Sequence, residues 1–302
     1  MTLNTETELL WLQQGNLRVG IVPALGGSLQ SFSLERQGKR YQLFRPASAR
    51  ALAQGQPTDM AMFPMLPYCN RIPGNRIRLG QRTWPVSANM EGDPWNCHGS
   101  AWQQPWHCTA QSPAKVVLEL HQQLPPYHYH ASQSFHLHPD GLEVHMAVRN
   151  LAEEAMPFGM GLHPYFLRHE AMRLQMRSSH FWLASPDSLP TVRIATPPEL
   201  DYRSPRPLPD SWRDNAYEGW DGYFCLDNPA QGWRLECHAE DCFAHLMIYA
   251  PTGANFFCLE PMSHRLGVFA EEGATNAGKR VLAPEESWQA SLRFTVTQTG
   301  AR

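Results

Sequence analysis

Apolar and polar residues alternate most regularly near the C-terminal end of the chain. Apolar side chains occupy every second position from 288 to 296, and polar ones stand between them. This period of two predicts a strand with one buried face. The same alternation over residues 142–148, and shorter runs at 115–120, 233–237 and 244–249, predict four more strands.

Turn-forming residues separate these runs. The chain has 26 prolines in 302 residues and few patterns with the period of a helix, so we predict many short strands joined by turns. Such a chain folds as an all-β sandwich or barrel, and we expect one domain over residues 1–302. Residues 46–59, rich in alanine, predict a helix or an extended loop. Residues 185–214 are rich in proline and predict a long irregular crossing of the kind that often borders a site.

The charge balance gives no reason to expect a strongly charged partner. The formal net charge is -3, so nucleic acid and anionic membranes are not expected partners. The first residues lack the pattern of a secretion signal, and no apolar run reaches the ~18 residues of a membrane span. Seven scattered cysteines without a C-x-x-C pair indicate reduced thiols. We therefore expect a soluble, cytoplasmic protein with a small, neutral ligand.

Two titratable residues stand just before prolines. His163 lies in Gly-Leu-His-Pro-Tyr-Phe, and Glu260 lies in Cys-Leu-Glu-Pro-Met. Proline cannot donate to a sheet ladder, so each X-Pro step predicts the end of a strand. In one pocket, about 4 to 7 Å apart, the imidazole and the carboxylate would form a general acid/base pair. Their apolar neighbours favour this interpretation over a solvated histidine and a surface glutamate, because burial would shift both pKa values.

Three further side chains are candidates for binding. Arg71 lies among turn-forming residues, and its guanidinium fork suits paired hydrogen bonds to ligand oxygens. His98 precedes a glycine, which permits close approach of a ligand. Asp221 stands between aromatic residues in Trp-Asp-Gly-Tyr-Phe. Each also has a simpler explanation, namely a surface arginine, a loop histidine and an Asx turn.

A histidine-rich segment raises the question of a metal. His128 and His130 form one H-x-H pair, and His136 and His138 follow in the same spacing, which on a strand places both imidazoles of a pair on one face. No third ligand has a motif-like spacing, so a cupin-like metal site is the minor alternative. The chain has no P-loop, G-x-G-x-x-G or G-x-S-x-G, so phosphate-cradle, dinucleotide and serine-hydrolase functions have no local support.

Taken in order along the chain, five of these segments resemble the aldose 1-epimerase (galactose mutarotase) family. They are Asn70-Arg71, Cys97-His98-Gly99, Gly161-Leu162-His163-Pro164-Tyr165-Phe166, Trp220-Asp221-Gly222-Tyr223-Phe224 and Cys258-Leu259-Glu260-Pro261-Met262. The resemblance spans roughly residues 16–297. It implies a large galactose-mutarotase-like β supersandwich with few short helices, and neither a metal nor an organic cofactor.

The resemblance also implies a role for each residue. His163 corresponds to the general acid and Glu260 to the general base that open a sugar ring, while Arg71, His98 and Asp221 match sugar-binding positions. The implied partner is a free aldose, acted on by a monomer or homodimer. An apolar wall for the sugar would come from Trp95, Trp220 or Tyr165.

The sequence leaves the sugar and two other functions open. The Leu-His-Pro and Glu-Pro-Met segments look like a divergent bacterial branch, so galactose itself is not implied. The Arg-Gly-Gly-type phosphate motif of hexose-6-phosphate mutarotases is missing, which disfavours a phosphosugar, although Arg76 and Arg78 could replace it. A non-catalytic sugar-binding or sugar-sensing protein is one alternative. Glycoside cleavage is another, and it would require Asp221 to join Glu260 as a second carboxylate.

Overall fold

The computed structural model describes residues 8–272 and 277–300. Strands account for 53% of the chain and helices for 7%, which confirms the all-β prediction. The strands in chain order are β1 Leu10–Gln14, β2 Leu17–Val22, β3 Ser28–Arg36, β4 Lys39–Gln42, β5 Met62–Met65, β6 Arg71–Ile72, β7 Arg76–Leu79, β8 Arg82–Pro85, β9 Asn96–Cys97, β10 His107–Gln111, β11 Lys115–Leu124, β12 Tyr127–His138, β13 Gly141–Asn150, β14 Met156–Phe158, β15 Gly161–Leu167, β16 Arg173–Met176, β17 His180–Ala184, β18 Pro190–Ala195, β19 Arg213–Glu218, β20 Tyr223–Asn228, β21 Trp233–Ala239, β22 His245–Ala250, β23 Phe256–Met262, β24 Arg280–Leu282 and β25 Ser287–Gln298.

Two large antiparallel sheets make up most of the molecule. The first has eleven strands in the order β1-β2-β3-β5-β15-β23-β22-β19-β17-β18, with β4 attached to β3. The second has eight strands in the order β10-β11-β12-β13-β25-β21-β20-β16. The five strands expected from alternation are confirmed as β25, β13, β11, β21 and β22.

The main core lies between the two sheets. Phe44 makes edge-to-face contacts with Phe32 and Phe166 of the first sheet and with Phe294 of the second, at centroid distances of 5.3, 5.2 and 5.1 Å. Edge-to-face pairs of this kind add to the stabilisation that comes from burying each ring. The apolar side of β25 therefore faces the first sheet.

The helical elements are short. The segment 46–59 contains the helix α1 Ala49–Gln54, which begins where the Ser48 side chain accepts a hydrogen bond from the Ala51 amide and ends at Gly55 with φ of 64°, a left-handed conformation that glycine adopts without strain. The 3-10 turns are Pro57–Asp59, Pro73–Asn75, Ala101–Gln103, Pro198–Leu200 and Val268–Ala270. Among the described residues, none of the helices combines the length and the hydrophobicity that crossing a membrane requires.

Two expectations about strand boundaries were wrong. Residues 185–214 are not irregular throughout, because β18 forms the last strand of the large sheet, where Pro190 at its first position needs no ladder donor. Pro164 and Pro261 lie inside β15 and β23 rather than after them. Each of these two strands also pairs with a second neighbour, β5 or β22, across its other edge, and this pairing continues the strand past its proline.

Replacing Phe44 with alanine tests the core between the sheets. Because the side chain is fully buried, the cavity should lower the free energy of unfolding by about 3–5 kcal/mol, measured by urea denaturation. Leu124→Ala, at a position 50% exposed, is the control and should stay within about 0.5 kcal/mol of wild type. Equal losses in the two variants would contradict this account of the core.

Candidate active site

One row of side chains crosses the outer face of the large sheet. The strand registers place Phe63 opposite His163, and Met247 opposite Glu260. Strand neighbours of His163 and Glu260, such as Leu162 and Leu259, point into the main core instead. The alternation of β15 and β23 therefore directs the imidazole and the carboxylate to the same face of the sheet.

The two prolines bring His163 and Glu260 opposite each other at a gap in the ladder. The register of β15 and β23 runs from Gly161 opposite Met262 to Tyr165 opposite Cys258, and it skips the positions between. Continued through the gap, it places His163 opposite Glu260. The Ser263 amide donates to the carbonyl of residue 160 at 2.9 Å, and this bond fixes which residues of the ladder exchange hydrogen bonds. In that pattern, the two missing donors are the backbone nitrogens of the residues that follow His163 and Glu260. Both nitrogens belong to prolines, which have no N–H.

His163 and Glu260 contact each other directly. Nε2 of His163 lies 3.2 Å from Oε1 of Glu260, which is closer than the 4 to 7 Å expected from the sequence. The residues are 6% and 2% exposed, and the imidazole is stacked between the rings of Phe63 and Tyr165, with centroid distances of 4.5 and 4.7 Å. The stacked rings fix the plane of the imidazole and exclude water from its faces.

Burial shifts both pKa values against the charged forms. Desolvation, with a smaller effect from the nearby Arg45 charge, lowers the pKa of His163 to about 3. Desolvation and the charge of Asp214 raise the pKa of Glu260 well above its usual range. Between these limits the pair holds one proton, and both shifts place it on Glu260, whose Oε1 lies 3.2 Å from Nε2 of His163. Nδ1 of His163 and Oε2 of Glu260 are buried and have no hydrogen-bond partner among the described residues.

A small two-stranded ladder brings Arg71 and His98 to the same pocket. β6 pairs with β9, with Arg71 opposite Cys97. His98 has a φ of 63°, and Gly99 beside it packs so tightly that a Cβ would lie 2.3 Å from the carbonyl oxygen of Leu66. This close packing explains the glycine that follows the histidine.

His98 is a neutral donor. Its Nδ1 accepts a hydrogen bond from the backbone N–H of Asn70 at 3.1 Å. Burial, with the neighbouring charges of His163 and Arg71, lowers the pKa of His98 well below its usual value. The single proton of a neutral ring whose Nδ1 accepts must be on Nε2. His98 can therefore donate to a ligand oxygen.

The Arg71 side chain is held by two carboxylates. Its Nε donates to Asp93 at 2.8 Å, and its Nη1 donates to Asp214 at 3.3 Å. Asp214 is 7% exposed, and burial raises its pKa despite the opposing effect of Arg71. This ion pair fixes the guanidinium at the pocket wall.

Asp221 lies outside the pocket, which corrects the expectation that it joins the other four residues. It is exposed, and its Oδ1 accepts a hydrogen bond from the Tyr223 amide at 3.2 Å, which is the Asx turn that was the simpler explanation. The pocket is instead lined by Asp214 of β19, which contacts Arg71, and by Asp59. No local motif marked Asp214. It lies two positions before Ala216 in β19, and Ala216 faces the same side of the sheet, so the alternation of this strand is the signal that could have located it.

The cavity measures about 360 Å³, within the usual range of small-molecule sites. Tyr165 lines it as expected, whereas Trp220 is buried in the main core and does not. Sequence reasoning missed Trp212, which is 54% exposed and lies at the pocket with Ser188. Both belong to the proline-rich segment that was expected to border a site. The remaining lining residues are Arg45, Thr58, Asp59, Phe63, Asn70, Arg71, Met90, Cys97, His98, His163, Asp214, Tyr249, Phe256 and Glu260.

Three of these residues also have the donor types of a metal site. One potential ligand atom each of His98, His163 and Glu260 lies within 4.8 Å of the others. Two of the three residues, His163 and Glu260, are already in contact, with 3.2 Å between Nε2 and Oε1.

His264 supports the loop that carries Arg71. Its Nε2 accepts from the Cys69 amide at 2.9 Å, and its Nδ1 lies 2.9 Å from the carbonyl oxygen of Arg265, to which it donates. Burial lowers the pKa of His264 to about 3. Sequence reasoning missed this residue because both of its bonds depend on tertiary contacts.

The architecture is that of the galactose-mutarotase-like sandwiches. A family model described as aldose 1-epimerase matches residues 8–295, and the chain belongs to this family. It is 33% identical over 261 residues to the uncharacterized protein YphB of Escherichia coli K12, covering 84% of this chain and 87% of that one.

Solved structures agree with this assignment. A candidate aldose 1-epimerase of Escherichia coli K12 is 30% identical with a TM-score of 0.89, covering 96% of this chain and 99% of the other. A galactose mutarotase-like protein of Clostridium acetobutylicum, 18% identical, has a TM-score of 0.81 and covers 96% and 95% of the two chains. At that identity the second likeness concerns the fold alone.

The pKa of His264 predicts a loss of stability in acid. The unfolded state takes up a proton near the usual histidine pKa of about 6.5, whereas the folded state does not until about pH 3. The unfolded state therefore binds more protons in this interval, and stability falls as the pH falls. Between about pH 6 and about pH 4, the free energy of unfolding should fall less steeply with falling pH in His264→Gln than in wild type. The two slopes should differ by up to about 1.4 kcal/mol per pH unit.

Urea denaturation at each pH measures this difference. His107→Asn is the matched control, because His107 is exposed, and it should keep the slope of the wild type. A slope unchanged in His264→Gln would show that this residue is not held neutral in the folded protein.

Proposed function

We propose that this protein is an aldose 1-epimerase that interconverts the α and β anomers of a free, neutral aldose. The observation that carries the proposal is the buried contact between His163 and Glu260, with 3.2 Å between Nε2 and Oε1. The two groups face a cavity that also contains Arg71, His98 and Asp214. Family membership supports the reaction class.

The reaction needs one proton acceptor and one proton donor at neighbouring oxygens. Glu260 takes the proton from the anomeric hydroxyl as the C1 to ring-oxygen bond breaks, and His163 donates a proton to that ring oxygen. The open-chain aldehyde then rotates about the C1–C2 bond and recloses on its other face with the two roles exchanged. Because both oxygens are bonded to the same carbon, two protein groups already in contact can each reach one of them.

A single proton that can move between Glu260 and His163 allows the carboxylate to act as the base while the imidazolium acts as the acid. Burial favours the neutral forms of both side chains, with the proton on Glu260. Transfer of that proton to His163 creates the base and the acid in one step. A sugar favours the transfer, since its anomeric hydroxyl donates to the carboxylate while its ring oxygen accepts from the imidazolium. The unpartnered Oε2 of Glu260 gives the carboxylate a free acceptor for the hydroxyl.

The other polar groups of the pocket position the sugar. Nε2 of His98 donates to one sugar oxygen, and the Arg71 guanidinium, fixed by Asp93 and Asp214, offers its remaining N–H groups to others. Asp214 takes the place that the sequence assigned to Asp221 and accepts from a ring hydroxyl. Such contacts raise the rate by holding C1 against the acid and the base.

The charges of the pocket favour a neutral sugar over a phosphosugar. Of its two lining arginines, Arg71 is already paired with two carboxylates. Arg45 donates to the carbonyl oxygens of Thr58 and Met60 at 3.1 and 3.0 Å and stacks over Tyr165 at 3.9 Å. A phosphate dianion would meet an Arg71 charge already balanced by two carboxylates, and it would be repelled by those carboxylates.

Polarimetry on freshly dissolved α-glucose and α-galactose tests the acid and base roles. Glu260→Gln and His163→Asn should each lower kcat/KM by ~10²–10⁴, the usual contribution of general acid/base catalysis. Asp221→Asn, which changes an exposed carboxylate outside the pocket, is the matched control and should keep the rate of the wild type. Equal rates for all four proteins on every aldose accelerated would refute the assignment. Sugar binding by the wild type without faster anomer exchange would favour a sensor instead.

The pH dependence of the rate tests the shared proton. The pair holds its single proton from about pH 3, where His163 titrates, up to the raised pKa of Glu260. Activity is lost in stronger acid because no base remains, and in alkali because no acid remains. With the uncatalysed rate subtracted, kcat should stay level between about pH 5 and about pH 7. A decline on the alkaline side centred near pH 6.5, the usual pKa of an isolated histidine, would contradict the shared-proton account.

A further inference from the structure

Two adjacent imidazoles on the outer face of β12 are not used by the proposed reaction. His136 and His138 are two positions apart on the strand, so their side chains share a face. Their ring centroids are 4.0 Å apart. Both residues are half-buried and belong to the other sheet from the one that carries His163.

The register of β12 and β13 supplies the third ligand that the sequence did not reveal. Residues 139 and 140 form a two-residue hairpin turn, which places Glu143 directly opposite His136. The Oε2 atom of Glu143 also lies 3.2 Å from Nε2 of His138. One potential ligand atom from each of the three residues lies within 4.8 Å of the other two.

We propose that His136, His138 and Glu143 bind one divalent transition-metal ion of the zinc class. Two imidazoles and one carboxylate form a ligand set that zinc and its neighbours in the periodic table favour. The side chains of His138 and Glu143 are 26% and 27% exposed, so water can complete the coordination sphere. The site is distinct from the acid/base pair and does not depend on the proposed reaction.

Neighbouring side chains both support and limit this site. His145 lies with Nε2 3.3 Å from Oε1, the other carboxylate oxygen of Glu143, where it orients the carboxylate as outer-shell partners of metal ligands do. Lys115 of β11 stands opposite His136 in the sheet, and Arg293 of β25 stands opposite Glu143. Arg293 is itself paired with Asp140 at 2.7 Å. These two positive charges oppose the binding of a cation, so we expect an affinity in the micromolar range.

A second histidine cluster on the same sheet, in which His130 stands opposite His121 and beside His128, provides a matched control. The Nε2 atoms of His121 and His128 are 3.2 Å apart. Glu119 contacts His130 in that region at 3.5 Å. Among the residues that the structure describes, no His, Cys, Asp or Glu completes a three-ligand group around His121 and His128.

Calorimetric titration of the untagged chain with Zn²⁺, and the visible absorption of its Co²⁺ complex, test the proposal. Wild type should bind one equivalent with a micromolar dissociation constant. The double variant His136→Asn with His138→Asn, and the single variant Glu143→Gln, should each raise that constant at least about tenfold. The double variant His121→Asn with His128→Asn should bind as tightly as wild type, and so should Glu260→Gln, which removes the carboxylate of the other three-ligand group.

Two results would overturn the proposal. One is unchanged Zn²⁺ affinity and an unchanged Co²⁺ spectrum when His136 and His138 are both replaced. The other is loss of the bound equivalent in Glu260→Gln or in the His121 and His128 double variant, which would assign the ion elsewhere. Urea denaturation of each variant shows whether it is folded, and Glu143→Gln provides a test that leaves both imidazoles in place.

Discussion

The site depends on the gap in the ladder between two central strands of the large sheet. Pro164 and Pro261 each remove one ladder donor, and the two missing bonds flank the same pair of opposed residues. His163 and Glu260 face each other there, between Phe63 and Met247 in the neighbouring strands. Opposed residues that do not exchange backbone hydrogen bonds bring their side chains close together. The surrounding apolar groups desolvate the imidazole and the carboxylate. Their proximity and their shifted pKa values both follow from this arrangement.

The loops and the strands contribute different parts of the pocket. His163 and Glu260 stand on strands held by neighbours on both sides, where their geometry is rigid. Arg71 and His98 come from a short ladder between loops, and His264 ties that ladder to the end of β23. Asp214 links the two parts, because it pairs with Arg71 and its charge raises the pKa of Glu260. In the proposed reaction, a sugar hydroxyl bound at Asp214 would therefore influence the proton of the catalytic pair.

The sequence predicted what local patterns can encode. Alternation located β13 and β25, and the motifs identified four side chains that share one pocket, namely Arg71, His98, His163 and Glu260. It failed where pairing between distant strands decides the outcome. An X-Pro step looks like a strand end in the sequence, because the strand that pairs along the other edge and continues the ladder is not visible there. Asp221 resembled a site residue because an Asx turn and a binding loop have similar composition, whereas Asp214 faces the pocket only through the register of β19.

Histidine stands opposite glutamate in several strand pairs of the described residues, and two of these pairs differ mainly in their burial. His163 and Glu260 are buried, with the imidazole stacked between Phe63 and Tyr165, so placing a cation there would first require displacing the proton of Glu260 and desolvating the ion. His136 opposite Glu143 is open to water, so an ion can enter with part of its hydration shell and gain a second imidazole from His138. The same pair of residue types is thus suited to the proposed proton transfer in the interior of the protein and to the proposed metal coordination at its surface.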